Sequence, residues 1–182
     1  MRRAQLEHVV RAAADVAKEQ HIVIVGSQAI LGQFPDAPES MLVSQEADVF
    51  PRDHPDKADE IDGALGDGSQ FHATFGYYAH GVGPETAKAP AGWEARLIPV
   101  RNQNTGGATG WCLEVHDLVL AKCVAGRDRD WEFAGDALDH GLVVPTRLLD
   151  LVKDLPVSKA RADRIRRWLR GRIARMPPAR PT

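Results

Sequence analysis

Along residues 4–19 the apolar positions Leu6, Val9, Val10, Ala13, Val16 and Ala17 recur at helical spacing, while Arg11, Asp15, Lys18 and Glu19 lie off that stripe. This predicts an amphipathic helix. The period then changes. Residues 21–25 are short, β-branched and apolar at both parities, which suits a strand covered on both faces. Gly26-Ser27 turns the chain, and residues 28–34 read as two turns of helix before Pro35. After loop chemistry at 35–40, a strand is predicted at 43–50, ended by Pro51, and a modest helix at 56–65 with Ala58, Ile61 and Leu65 inward.

Residues 77–82 and 95–100 are the next strand candidates. Asn102 to Gly110 reads as a hairpin loop joining Arg96-Leu97-Ile98 to a fifth short strand, Trp111-Cys112-Leu113. Helices follow at 115–125 with Gly126 as cap, at 131–139, at 146–155, and from an N-cap at Ser158 to about Met176. The last carries Ala162, Ile165, Leu169, Ile173 and Met176 on one face, and a frayed tail is expected at 177–182. Regular strand–helix alternation is missing, so the pattern predicts an α+β fold: a small mixed sheet flanked by helices, with a helical C-terminal part. The expected division is 1–114 for the α/β core, 115–176 for the helical part and 177–182 for the tail.

Composition changes this picture little. Hydrophobic residues at 43% and charged residues at 26% are ordinary for a globular protein. No run approaches the roughly 18 apolar residues of a membrane span, and no secretory leader is legible at Met1-Arg2-Arg3, so a cytoplasmic protein is expected. Cys112 and Cys123 match no zinc or redox spacing and read as buried thiols. Charge is more informative. Residues 158–182 hold nine Lys/Arg against one acid, whereas the first 157 hold fourteen basic and twenty-four acidic side chains.

Two short stretches carry candidate chemistry. Glu46 and Asp48 stand at i and i+2 on a predicted strand, so their carboxylates leave the same face. Unpaired, each disfavours the other's charge, and a hard divalent cation removes that penalty. The plain alternative is an edge strand with two solvated acids. At Gly26-Ser27 a glycine lets the backbone approach a ligand, and the hydroxyl with the following amides can hold a phosphate. An ordinary turn with Ser as N-cap is the alternative. Walker-A, Gly-x-Gly-x-x-Gly and Gly-x-Ser-x-Gly patterns are missing. His54, His72 and His80 have no metal-ligand spacing and read as structural or surface groups, although Tyr78 and His80 share a strand face and could line a base pocket. Trp93 and Trp111 read as packing residues.

A Gly-Ser pair opening a helix, followed on the next strand by acid-x-acid, resembles the nucleotidyltransferase superfamily related to DNA polymerase beta. The segments Val25-Gly26-Ser27-Gln28-Ala29-Ile30, Glu46-Ala47-Asp48-Val49-Phe50, Phe75 to Val82, Gly92 to Leu97 and Asp117 to Lys122 with Gly126 to Asp130 resemble a bacterial branch of that superfamily that is itself similar to AbiE-type toxin nucleotidyltransferases. The resemblance implies Mg²⁺-dependent (or Mn²⁺-dependent) transfer of a nucleotidyl group from an NTP to a hydroxyl. Gly26 and Ser27 would grip the triphosphate, Glu46 and Asp48 would ligate metal, and Lys122 would steady phosphate charge. Asp130, ahead of Asp128, would orient Lys122 or act as base. Paired metal ions about 3.5–4 Å apart would activate the attacking oxygen and neutralise the leaving pyrophosphate.

The chain departs from that pattern in three places. The first acid is Glu46 where Asp is usual, the gap from Ser27 to Glu46 is nineteen residues, and no clear third carboxylate sits on a later strand, Glu94 and then Glu114 being the nearest candidates. The acceptor is left open between RNA, protein and a small molecule, with the basic C-terminal helix favouring RNA; the alternative is that this helix simply docks on the body. A cognate antitoxin or other protein is the expected partner of a toxin half. The rival readings are a non-catalytic nucleotide- or RNA-binding module of the same fold and a protein-interaction subunit.

Overall fold

The computed structural model describes residues 1–175. The expectations for Met176 and for the tail at 177–182 lie outside the described residues. The architecture is α+β, as the pattern predicts. Helix α1 (Arg3–Ala17) leads into β1 (His21–Ile24), then β2 (Glu46–Pro51), α2 (Ala58–Leu65), α3 (Gln70–Phe75), β3 (Tyr78–Gly81), β4 (Ile98–Val100) and β5 (Thr109–Cys112). Four helices follow: α4 (Val115–Ala125), α5 (Asp128–Asp139), α6 (Pro145–Leu151) and α7 (Lys159–Ile173).

The strands form one mixed sheet in the order β3-β2-β1-β5-β4. The strand that is apolar at both parities, β1, takes the centre, antiparallel to β2 and parallel to β5. Ile22, Val23 and Ile24 are all buried there. Strand β3 runs parallel to β2, and β4 pairs antiparallel with β5 as the hairpin expectation requires.

One sheet face is closed by α1 and α2. A Cβ at Gly110 would lie 2.8 Å from Val10 of α1, and one at Gly81 would lie 1.9 Å from the Ala58 carbonyl of α2. The two helices therefore sit on the backbone of β5 and β3, with Ile22, Ile24, Ala47, Val49 and Ala79 beneath them. Alternation turns Glu46, Asp48, Tyr78 and His80 to the opposite face. Helix α4 is apolar nearly all round and buried to match, packed among α5, α6 and α7. Its one buried carboxylate, Asp117, is held by Arg96 through two 2.8 Å hydrogen bonds.

Several boundaries differ from expectation for local reasons. Residues 28–34 do not form an α-helix; Ser27–Gly32 is a 3₁₀ turn. Gln28, Ala29, Ile30 and Leu31 are buried in succession, Arg3 donates to the carbonyls of Leu31 and Gly32, and a Cβ on Gly32 would meet Cys112 at 2.5 Å. Arg3 of α1 and Cys112 of β5 thus close on the end of the turn at Gly32. The strand expected at 95–100 begins only at Ile98, because Trp93–Arg96 coils while Arg96 reaches Asp117 and the Pro90 and Ala91 carbonyls. Helix α3 was not expected, yet its stops are in the chain. Ser69 accepts the His72 amide at 3.1 Å, and Gly76 closes the helix at φ 73°.

The long hairpin connection is tied down by one buried acid. Glu7 on α1 accepts from Arg3 at 2.8 Å, Asn102 at 2.8 Å and Asn104 at 2.7 Å. Burial alone would raise its pKa, but hydrogen bonds from Asn104, Arg3 and Asn102 outweigh that and hold it below the ordinary 4.5. Glu7→Ala is expected to cost about 2 kcal/mol in urea unfolding at neutral pH by leaving those donors unpaired. A depressed carboxylate stabilises above its unfolded pKa and loses that contribution as pH falls through the folded value. The gap between wild type and variant should therefore narrow as pH falls below the ordinary carboxylate range.

Candidate active site

The predicted acid pair meets its neighbours through strand register. Parallel pairing sets Glu46 opposite Tyr78 and Asp48 opposite His80. The Tyr78 hydroxyl donates to Glu46 Oε2 at 3.1 Å, and His80 Nδ1 lies 3.0 Å from Glu46 Oε1 and 3.2 Å from Asp48 Oδ1. One ligand atom from each of Glu46, Asp48 and His80 falls within 4.8 Å of the others, in the sole such cluster among the described residues.

Gly26 reaches the same point from β1. The Val25 amide donates to the Asp48 carbonyl at 3.0 Å, extending the β1–β2 ladder to the turn. A Cβ on Gly26 would then stand 1.9 Å from Asp48 Oδ2. Its φ of −80° is open to any residue, so space, and not backbone conformation, demands glycine here. Ser27 starts the 3₁₀ turn, whose N-terminus has no side-chain cap.

The electrostatics follow from two acids sharing one place. Burial, then hydrogen bonding to Glu46 and its charge, raise the Asp48 pKa, with His80 opposing. Burial also acts to raise Glu46, but its bonds with Asp48, Tyr78 and His80 pull it below the ordinary value. Burial would lower His80, yet Asp48 and Glu46 raise it. Tyr78 is pushed up to about 12 by burial and by Glu46. The rise at His80, against burial, shows that the two carboxylates favour a positive charge beside them.

That donor set suits a divalent cation. It offers two carboxylates and an imidazole on half-exposed side chains, leaving room for further ligands. The two third-acid candidates do not join it. Glu114 caps α4, accepting from the His116 amide at 2.9 Å, and pairs with the His116 ring and Arg147. Glu94 is exposed on the Trp93–Arg96 turn. His54 and His72 are likewise elsewhere, beside Glu19 and Asp67, although the His72 ring lies 4.7 Å from that of Tyr78.

Lys122 and Asp130 come from the helical part. Lys122 on α4 is 14% exposed and stands 3.5 Å from Asp130 Oδ1 on α5, with its ammonium 5.7 Å from the Phe133 ring centre. Burial lowers its pKa, while the charges of Asp130 and Asp48 act the other way. Asp130 is held below the ordinary carboxylate range: burial opposes this, but Arg127 and Lys122 prevail. Its second oxygen accepts from Arg127 Nε at 2.7 Å. Arg127 is half exposed, and the charges of Asp48 and Glu46 reach it. Asp128 is exposed.

The group that sequence reasoning missed as a ligand is His80. Its signal was Tyr78-x-His80, an i, i+2 pair able to face Glu46-x-Asp48 across a ladder, but only the β2–β3 register makes the two pairs meet.

Residues 4–161 match the model of a protein family described as "Nucleotidyltransferase of unknown function (DUF6036)". Searches of curated proteins and of solved structures find no match.

Two glycine substitutions separate space from conformation. Gly26→Ala should displace the Asp48 carboxylate, weaken divalent-cation binding by about ten-fold or more in calorimetric titration, and cost about 1–3 kcal/mol. Gly63→Ala, where a Cβ meets nothing within 4 Å, should leave binding unchanged and stabilise α2 by about 0.5–1 kcal/mol.

Proposed function

We propose that this chain, which belongs to the DUF6036 family of nucleotidyltransferases, moves a nucleotidyl group from an NTP to an acceptor hydroxyl at the site around Asp48. The observation that carries the reading is the meeting of Gly26 with the Asp48 carboxylate, beside Glu46 and within the field of Lys122. In the proposed reaction the acceptor oxygen bonds to the α-phosphorus, the bond from that phosphorus to the β-phosphate bridge oxygen breaks, and pyrophosphate leaves. The hydroxyl proton is released to water.

The residues divide the work. Gly26 leaves backbone room for the triphosphate, and Ser27 offers its hydroxyl to it. Glu46 and Asp48 hold a divalent cation, which when bound supplies charge neutralisation at the phosphates. Lys122 offers its ammonium to the phosphate oxygens. Asp130, with both oxygens already engaged by Arg127 and Lys122, fits the orienting role better than that of base. Asp128 is free of that constraint but exposed.

An RNA acceptor is supported by the basic face of α7. Arg161, Arg164, Arg167 and Arg170 are exposed, and Arg161 and Arg164 line a cleft of about 430 Å³ with Gly126 and Trp131. Gly126 is the C-cap of α4, the helix that carries Lys122. The resemblance to AbiE-type toxins adds the role of a toxin, with a cognate antitoxin as partner. A second reading, a nucleotide-binding module without catalysis, is favoured by one observation: no third carboxylate joins Glu46 and Asp48 among the described residues.

Incubation with each α-labelled NTP, Mg²⁺ or Mn²⁺ and total RNA or protein tests the reading. Label should pass to an RNA and disappear in Asp48→Ala; metal-dependent NTP binding without any transfer would favour the binding module instead. For the toxin role, induced expression should arrest growth with the wild-type chain and not with Asp48→Ala. Equal growth with both would remove that part of the proposal.

A further inference from the structure

We propose that His80 is a metal ligand, completing with Glu46 and Asp48 a two-carboxylate, one-imidazole centre that takes a first-row transition cation such as Mn²⁺ in preference to Mg²⁺. The proposal deepens the nucleotidyl-transfer reading and rests on it for the need of a metal.

The argument begins with register. Because β2 and β3 are parallel and Asp48 stands opposite His80, the imidazole belongs to the same sheet face as both carboxylates. Strand pairing, not a flexible loop, sets that placement, and backbone bonds on either side hold it. The Tyr78 amide donates to the Gln45 carbonyl at 3.0 Å and the Val82 amide to the Val49 carbonyl at 3.0 Å.

Side-chain contacts then aim the donors. Tyr78 engages Glu46 Oε2, so the other oxygen, Oε1, is the one that faces His80 Nδ1. His72 packs its ring against Tyr78 and steadies that hydroxyl. Gly26 crowds Asp48 Oδ2, while Oδ1 faces the imidazole. Three donor atoms on three side chains thus converge, each carboxylate turning its remaining oxygen toward the imidazole.

Donor chemistry supplies the preference. Mg²⁺ takes oxygen ligands in a near-ideal octahedron and keeps its water, whereas imidazole nitrogen favours the first-row ions over it. Two carboxylates and a neutral imidazole carry −2 together, which balances one divalent cation. His80 is half exposed at the sheet edge, so it can be replaced without opening the core.

The test is Mn²⁺ titration of the full chain, followed by electron paramagnetic resonance with spin-echo detection of ¹⁴N coupling. Wild type should bind Mn²⁺ with a nitrogen coupling. His80→Ala should lose the coupling and bind about ten-fold or more weakly. His80→Asp should also lose the coupling while keeping affinity, and the Mg²⁺ concentration that displaces half the Mn²⁺ should fall about ten-fold relative to wild type. Mn²⁺ bound without nitrogen coupling, or a coupling unchanged in His80→Ala, overturns the role of His80 and leaves nucleotidyl transfer standing. A folded wild-type chain that binds no divalent cation would sink both.

Discussion

Two carboxylates two residues apart on one strand face are the constraint to which the surrounding residues answer. Like charges this close cannot both ionise freely, and burial makes the conflict sharper. The protein does not relieve it by turning one acid into solvent. Gly26 instead leaves space for Asp48 to stay beneath the turn, and His80 and Tyr78 both bond to the acids from the neighbouring strand. Lys122 approaches from α4 without pairing directly with either acid among the described contacts, since Asp130 takes its nearest contact. Positive charge is therefore supplied around the pair but never fully committed to it.

Helix α4 is fixed by buried ion pairs of a different kind. Arg96 to Asp117 is bidentate and shut away from water on the carboxylate side. Glu114 meets His116, whose other ring nitrogen accepts the Val144 amide at 2.8 Å. These groups satisfy one another, so they pin α4 in orientation and present nothing to a ligand. The contrast with Glu46 and Asp48 is in access: side chains there are about a quarter to a third exposed, against 6% for Glu114 and none for Asp117. Glu114 and Asp117 thus hold the frame, while Glu46 and Asp48 keep access to solvent.

The sequence was most legible where periodicity and burial coincide. The stripe on α1, the doubly covered β1 and the β4–β5 hairpin all follow from alternation and turn residues. It was least legible where tertiary enclosure decides geometry. Nothing local in residues 27–32 says that their backbone will tighten to a 3₁₀ turn, because the cause is Arg3 and Cys112 from elsewhere in the chain. Helix α3 is a different failure: Ser69 and Gly76 were sufficient as stops, but six residues are too few for a helical period to stand out. At the site, spacing and resemblance singled out Gly26, Glu46 and Asp48. His80 was out of reach because thirty-two residues of chain separate it from Asp48, and only a parallel register, which no hairpin signal announces, sets them face to face.

That register also bears on why the site is built from two strands and a helix instead of one motif. Acids alone on β2 would repel, and an imidazole alone on β3 would be a solvent-facing edge residue. Together they make a donor set whose charge is matched by a single divalent ion. Beyond it lie Lys122 and Arg127, both within reach of the charge on Asp48. The two acids are thus met by an imidazole in direct contact and by two cationic side chains at longer range.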